Sequence, residues 1–370
     1  MTAGHGRGHG RGRGSVRWAA CCLLLAVAAC GSHSGPPSPP KAGQAAAFGD
    51  FTGGAPAQRA LREGVGGPAG FATGPDGSGY LLEHPTLARL TPAGKVSEIA
   101  SAATDFGGAE PTGLTVGPDG SVYWGHDGEI KRYDDRRGTV VVAGRSSTER
   151  ADDAAADAVE TAATARLTQE AGPVGVTRSG AVVIADGRAL WSLSSGRLTR
   201  LFQRPAGAHG GRAAISAEGA AVAPDGSAYL LPARGDKAFD LAHVEVVSPS
   251  GKASALGLPP TLPGVDGPLA TLAPSWMASD GAGGVYVHAL RVDPGSPVGD
   301  YVLHLSGGKA ELVASGTTEE DSSTTGCKAT DPVDATRFPC PLPAAIGYRN
   351  GTLTLAGERE YAVKIAVGGS

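Results

Sequence analysis

The sequence has few aromatic residues, no long apolar run beyond its N-terminal end and no broad basic region. Aromatic residues make up 5% of the 370 residues, and the formal net charge is -4. After residue 29, no run of about 18 apolar residues occurs, so the body of the chain contains no candidate membrane-spanning segment. The lack of a basic region argues against a nucleic-acid groove, and we expect no nucleic-acid partner.

The usual short motifs of two enzyme classes are also missing. The sequence contains no Gly-x-Ser-x-Gly motif, and its glycine-rich runs are not followed by Gly-Lys-Ser or Gly-Lys-Thr. A nucleophile elbow of the α/β-hydrolase type and a phosphate-binding loop are therefore not predicted.

Turn-forming residues are abundant, with 58 glycines and 27 prolines. They recur beside short β-branched and apolar runs, a pattern that is typical of an all-β domain with many tight turns.

The N-terminal end has the three parts of a signal peptide. Residues 1–17 are cationic and contain no acidic residue, residues 18–29 are apolar, and small residues follow. A run of about a dozen apolar residues is too short to cross a bilayer as a helix. We therefore predict a signal peptide over residues 1–29.

The stretch from Val27 to Gly31 resembles a bacterial lipobox, which implies that Cys30 becomes a lipidated N-terminus. An ordinary signal peptide cleaved nearby is the alternative. The Pro-rich residues that follow predict a tether over residues 30–42. With lipid on Cys30, the protein would be extracytoplasmic and anchored to the outer face of the bacterial cell membrane, with the membrane as its first partner.

The five cysteines fit this division. Cys21 and Cys22 leave with the signal peptide and Cys30 takes lipid, so Cys327 and Cys340 remain as one pair in an oxidising compartment. We predict a disulfide between them. Two free thiols or a metal site are the alternatives, although no further cysteine lies nearby to complete a zinc site.

Repeats give the strongest indication of the fold. Residues 111–144 read as four short strands separated by turns, with Pro-Asp-Gly at the first turn. The same order of strands and turns returns five more times. The turn glycines, 43 to 68 residues apart, are Gly77, Gly120, Gly180, Gly226, Gly283 and Gly351. Six units of this length predict the blades of a β-propeller.

The units resemble the NHL repeat, in which Pro-x-Gly and an apolar strand precede an Asp-Gly turn. Three connections, at residues 162–167, 266–272 and 334–338, are similar to the linker between extracytoplasmic NHL blades. The resemblance implies an all-β fold over residues 43–370: a six-bladed NHL-like propeller with four-stranded blades. The last unit lacks one strand, and we expect residues 44–48 to supply it and close the ring.

Candidate ligand-binding residues follow the turns at equivalent positions. Glu83, His126 and Asp186 share one register, and His84 and His288 lie one residue away from it. Such side chains suit Ca²⁺ or Zn²⁺, as in the related lyases and lactonases. However, other blades have Pro, Ala or Gly in this register, so structural roles are the alternative and no cofactor is predicted.

Trp276 replaces a repeat glycine near the start of a strand, where it packs in the core or reaches a ligand at the channel mouth.

The sequence leaves three functions open. The first is a membrane-anchored binding module whose propeller face takes an unknown protein, peptide or glycan. The second is a lyase-like or lactonase-like enzyme with a metal on the axis, and the third is a passive scaffold. A fold does not choose between them.

Overall fold

A computed structural model describes residues 39–55, 57–59, 70–83, 86–101, 111–145, 159–205, 214–231, 233–234, 237–239, 241–293, 296–317 and 327–368. The predicted signal peptide, Cys30, most of the tether and His84 lie outside these residues. Within the described part, no helix is long and apolar enough to cross a membrane.

The described strands form six antiparallel sheets that are the blades of a β-propeller, as predicted. Strand β1 (Gln44–Phe48) belongs to the last blade. Blade 1 contains β2 (Gly70–Thr73), β3 (Gly79–Glu83), β4 (Thr86–Leu90) and β5 (Val96–Ser101). Blade 2 contains β6 (Pro111–Val116), β7 (Val122–His126), β8 (Glu129–Asp134) and β9 (Gly138–Gly144). Blade 3 contains β10 (Val159–Thr161), β11 (Gly172–Val176), β12 (Val182–Asp186), β13 (Ala189–Ser194) and β14 (Arg197–Gln203).

The other three blades follow the same plan with local additions. Blade 4 contains β15 (Ala220–Val222), β16 (Ala228–Leu230), β19 (Glu245–Val247) and β20 (Ala253–Ala255), with a small separate hairpin of β17 (Ala233–Arg234) and β18 (Lys237–Phe239). Blade 5 contains β21 (Leu272–Ser279), β22 (Gly284–Asp293), β23 (Ser296–Ser306) and β24 (Lys309–Gly316). Blade 6 contains β25 (Val333–Asp334), β26 (Ala345–Arg349), β27 (Thr352–Ala356) and β28 (Ala362–Ala366).

The first strand of each four-stranded unit lies innermost. Strands β2, β6, β11, β15, β21 and β26 contact one another in this order, and β26 returns to β2. The inner strands therefore surround a central channel.

The Pro-Asp-Gly-Ser sequences form the turns between first and second strands in three blades. In blade 1, Asp76 Oδ1 accepts a hydrogen bond of 2.9 Å from the Ser78 N–H, and the Ser78 hydroxyl donates to Asp76 Oδ2. Asp119 and Asp225 hold Ser121 and Ser227 in the same way. The intervening glycines have φ between 78° and 93°, a region that glycine enters without steric cost. Sequence and turn geometry thus agree.

The N-terminal strand closes the ring, as predicted. Strand β1 pairs antiparallel with β28, with Ala45 opposite Ile365 and Ala47 opposite Val363. Ala45 and Ala47 are 0% and 3% exposed and pack in the core of blade 6. The ends of the described domain are thereby joined by a sheet, which removes one open edge.

The three linkers that share a sequence pattern also share a conformation. Each contains a three-residue 3-10 turn, at Ala162–Thr164, Leu269–Thr271 and Ala335–Arg337. Two of them add a short outer strand, β10 on blade 3 and β25 on blade 6, beyond the predicted four. These strands have only three and two residues, which is too short for a periodic pattern to show in the sequence.

Small apolar residues and two tryptophans fill the spaces between blades. Trp124 is 0% exposed and packs between blades 1 and 2, and Trp191 is 4% exposed and packs in a core cluster that blades 2 and 3 share. Cys327 and Cys340 form the predicted disulfide, with their Cα atoms 5.9 Å apart. It fastens the connection between blades 5 and 6 against the core of blade 6.

Candidate functional site

A cavity of about 410 Å³ occupies the central channel. Residues from the innermost strands of all six blades line it, so the cavity is a product of the closed ring. Its polar and aromatic lining includes Thr73, Thr115, Glu218, Trp276, Asp280 and Tyr348. A volume of this size, with a few polar groups among apolar walls, is typical of a small-molecule site.

Glu218 supplies a carboxylate to the cavity wall. It lies two residues before the blade 4 inner strand, and no hydrogen bond or ion pair joins its carboxylate to any described residue. The side chain is open to solvent in the cavity, but the walls around it remove part of its hydration. This desolvation raises the pKa of Glu218 above its usual value. A positively charged group entering the cavity would find an uncompensated partner.

The cavity-lining residue Asp280 belongs to a hydrogen-bonded polar cluster. Asp280 Oδ2 lies 2.8 Å from His304 Nε2, and Asp280 Oδ1 accepts the backbone N–H groups of Ala282 and Gly284. Desolvation acts to raise the pKa of Asp280, but these hydrogen bonds outweigh it and lower the pKa. Because this carboxylate is already paired, Asp280 is less available to a ligand than Glu218.

Aromatic rings extend this cluster toward the cavity. The Tyr286 ring stacks on His304, with centroids 4.6 Å apart, and lies 5.1 Å from the ring of Tyr348. Burial raises the pKa of Tyr286 to about 12, so its hydroxyl stays neutral. Tyr348 and Trp276 both line the cavity and offer it aromatic surface.

The structure places the predicted register at the hairpins between second and third strands. Glu83, His126 and Asp186 are the last residues of β3, β7 and β12, in three successive blades. Glu83 and His126 are buried, and none of the three lines the cavity. Asp186 Oδ1 accepts hydrogen bonds from the N–H and hydroxyl of Thr168, so it holds the linker that enters blade 3.

The described candidate residues do not come together as a metal site. Among them, no three His, Cys, Asp or Glu side chains come close enough to hold a metal ion. His84, one member of the predicted set, lies outside the described residues. Of the five predicted residues that the structure describes, Trp276 alone lines the channel cavity.

A buried hydrogen-bonded series in blade 5 involves His288 and two residues that the sequence reasoning missed. Ser275 Oγ lies 2.5 Å from His288 Nδ1, and His288 Nε2 lies 2.8 Å from Asp300 Oδ1. The other oxygen, Asp300 Oδ2, accepts a 2.6 Å hydrogen bond from the N–H of Leu342. His288 and Asp300 are 1% and 3% exposed, whereas Ser275 is half-buried.

The three side chains come from adjacent strands, β21, β22 and β23, so no short motif contains them. One usable signal was present: each is a polar residue inside a mainly apolar strand, and polar residues in such places need partners. The strand registers then bring them together, because Asp300 pairs with Leu290 and sits diagonally from His288.

No protein-family model and no curated protein matches the chain. Among solved structures, a protein of unknown function from Bacteroides thetaiotaomicron has a TM-score of 0.55 at 15% identity, covering 87% of this chain and 75% of that one. A virginiamycin B lyase from Staphylococcus aureus has a TM-score of 0.47 at 13% identity, covering 88% and 99%. A gluconolactonase from Xanthomonas campestris has a TM-score of 0.47 at 12% identity, covering 90% and 98%. Such identities concern the fold alone.

Proposed function

We propose that this protein is an extracytoplasmic, membrane-anchored binding protein whose NHL-like propeller takes an amine-bearing ligand in its central channel. The observation that carries the proposal is the cavity on the ring axis, where the Glu218 carboxylate has no partner among the described residues. Trp276 and Tyr348 line the same cavity. Arg349 also lines the cavity, but no ion pair joins it to Glu218. Aromatic faces and a free carboxylate together favour a cation over an anion or a neutral polar group.

The size of the cavity limits what can enter. About 410 Å³ accommodates a small molecule or the end of a peptide or glycan, but not a folded domain. A peptide ending in lysine and an amino sugar both present a compact ammonium group of this kind. The raised pKa of Glu218 means that burial disfavours the charged form of its carboxylate. A bound cation would favour the charged form and lower this pKa again.

The location rests on the N-terminal sequence. The cationic start, the short apolar run and the lipobox-like stretch ending at Cys30 support export and lipid attachment. The tether after Cys30 would hold the propeller away from the bilayer so that its channel stays accessible. Radiolabelled palmitate incorporation into the wild type, and its loss in Cys30→Ala, tests this part of the proposal.

The second candidate, an enzyme with Ca²⁺ or Zn²⁺ on the axis, has less support. It needs converging ligands, and the described part of the chain holds no group of three metal-ligating side chains. The binding function therefore explains the arrangement of the cavity better.

Binding can be tested with matched probe pairs. Tryptophan fluorescence would be followed while a lysine-terminated tripeptide or glucosamine is added, beside the N-acetylated form of each. We expect saturable binding of at least one free amine, weaker binding of its acetylated form and a loss of about tenfold or more in Glu218→Gln. Glu311→Gln, an exposed carboxylate on the outermost strand of blade 5, is the matched control. Equal binding to wild type and Glu218→Gln would refute the proposal.

A further inference from the structure

We propose that Ser275 is a nucleophile, with His288 as its general base and Asp300 as the group that orients the imidazole, and that it accepts acyl groups from activated esters. The activity goes beyond ligand binding and does not depend on Glu218. It rests on the hydrogen-bonded series in blade 5.

The hydrogen-bond partners determine where the imidazole proton lies. An ionised carboxylate only accepts, so His288 Nε2–H donates a hydrogen bond to Asp300 Oδ1, 2.8 Å away. The second oxygen of Asp300 is held by the Leu342 N–H, which fixes the carboxylate in place. In neutral His288 the lone pair is then on Nδ1, and it faces Ser275 Oγ at 2.5 Å. This is the order of groups that removes a proton from a serine hydroxyl.

The backbone places Ser275 next to the channel wall, and Ser275 itself is not among the residues that line the cavity. Ser275 lies at a bulge in β21, where the pairing with β22 skips from Pro274 to Trp276. Bulges re-aim a side chain and are frequent beside functional sites. Ser275 directly precedes Trp276, and residues 276–281 all line the cavity. Ser275 is half-buried, whereas its two partners are almost completely buried.

Comparison with the other blades shows that packing does not require this imidazole. At the position of His288, one residue before the register of His126 and Asp186, blade 2 has Gly125 and blade 3 has Ala185. Both residues are small and buried, whereas His288 lies opposite Trp276. In blade 2, the hydroxyl of Thr112 on the inner strand donates a hydrogen bond of 2.6 Å to the carbonyl of Ala171 rather than to an imidazole. Blade 5 combines a hydroxyl, an imidazole and a carboxylate in one hydrogen-bonded series.

The chemical step is an acyl transfer. Ser275 Oγ forms a bond to the carbonyl carbon of the ester while its proton passes to His288 Nδ1. The bond from the carbonyl carbon to the leaving oxygen then breaks, and that oxygen takes the proton from His288. Water, activated by the same imidazole, releases the acid and restores Ser275. Activated esters suit this site because their leaving groups depart with little further assistance.

The test uses a fluorophosphonate probe on the full chain, with mass spectrometry to locate the adduct and p-nitrophenyl acetate to measure turnover. We expect one phosphonyl group on Ser275 and loss of labelling in Ser275→Ala. Ser306→Ala is the matched control, because Ser306 is a half-buried serine of the same blade that does not line the cavity. Asp300→Asn should slow labelling by about 100-fold or more while the folded state is checked by circular dichroism.

Labelling that is absent from folded wild-type protein, or that survives in Ser275→Ala, would overturn the proposal. The position of the adduct in the wild-type protein shows whether Ser275 is the nucleophile, even if a variant fails to fold. Glu218→Gln separates this activity from the proposed binding: labelling by the neutral probe should persist in it, whereas amine binding should not.

Discussion

Trp276 and His288 are directly paired across the first two strands of blade 5, so a residue of the channel wall stands opposite the middle of the buried hydrogen-bonded series. Trp276 meets the cavity, and His288 holds Ser275 and Asp300. Through Asp300 the series continues to the Leu342 backbone, in the connection to blade 6. The channel wall and the junction of blades 5 and 6 are therefore joined through one set of side chains.

Removing the carboxylate from this series should be costly. In Asp300→Ala, the imidazole of His288 and the N–H of Leu342 both lose their buried acceptor. We expect a loss of about 3–5 kcal/mol in the free energy of unfolding, measured with urea. Arg89→Ala, which breaks the partly exposed pair with Asp76, is the comparison and should cost about 1 kcal/mol or less. Similar losses in the two variants would contradict a structural contribution from the buried pair.

Glu218 should make stability depend on pH in the direction opposite to that of a paired carboxylate. Its folded-state pKa is raised by desolvation, so the folded protein holds this proton more tightly than the unfolded chain. The resulting stability is full below the ordinary pKa of glutamate and is lost as the pH rises through the raised value. Glu218→Gln should then be more stable than wild type at pH 7, by less than about 1 kcal/mol because solvent screens the group.

Thermal unfolding of both proteins between about pH 4 and pH 8 measures this difference, which should shrink toward acid. A difference that grows toward acid would mean that the carboxylate is stabilised in the folded state.

The fold was predictable because its information is local and repeated. Pro-Asp-Gly-Ser fixes a turn through contacts within a few residues, as Asp76 and Ser78 show. The closing strand could be placed because Gln44–Phe48 matches the end of a repeat and the last unit lacks one strand. Local chemistry and a count of strands were sufficient for both conclusions.

The candidate sites were less predictable because they depend on register between distant residues. Along the chain, His288 follows Ser275 by 13 residues and precedes Asp300 by 12. Ser275 meets the imidazole of His288 at the bulge in β21. A single-residue shift would turn these side chains to other faces of the sheet. Glu218 lies directly before the repeat glycine Gly219, at the position of Thr112 in blade 2, so nothing in the repeat pattern singled it out as a residue of the channel wall.

The disulfide should stabilise the junction between blades 5 and 6. It joins cysteines 13 residues apart, and a loop of this length corresponds to about 3 kcal/mol in the loop-closure treatment. We expect the double variant Cys327→Ala, Cys340→Ala to lose about this amount in chemical unfolding. A reducing agent should destabilise the wild type to a similar degree and leave the double variant unchanged. Equal stability of wild type and double variant would show that the bond adds nothing to the folded ring.

Closure of the ring by the N-terminal strand makes one small residue critical. Ala47 is 3% exposed, lies opposite Val363, and its N–H donates to the carbonyl of Ala329 at 2.7 Å. Ala47→Glu would place a charged side chain in this packed space, at a cost on the order of 4 kcal/mol in the free energy of unfolding. Gln44→Glu adds the same charge to the half-buried start of the strand and should cost little.

Hydrogen exchange can distinguish local opening from global loss of structure. If β1 closes the ring, Ala47→Glu should expose the amides of β28 and also those of β26 and β2, since the inner strands support one another around the channel. Exchange that increases in β1 and β28 alone would mean that the five other blades and the inner ring hold together without the closing strand.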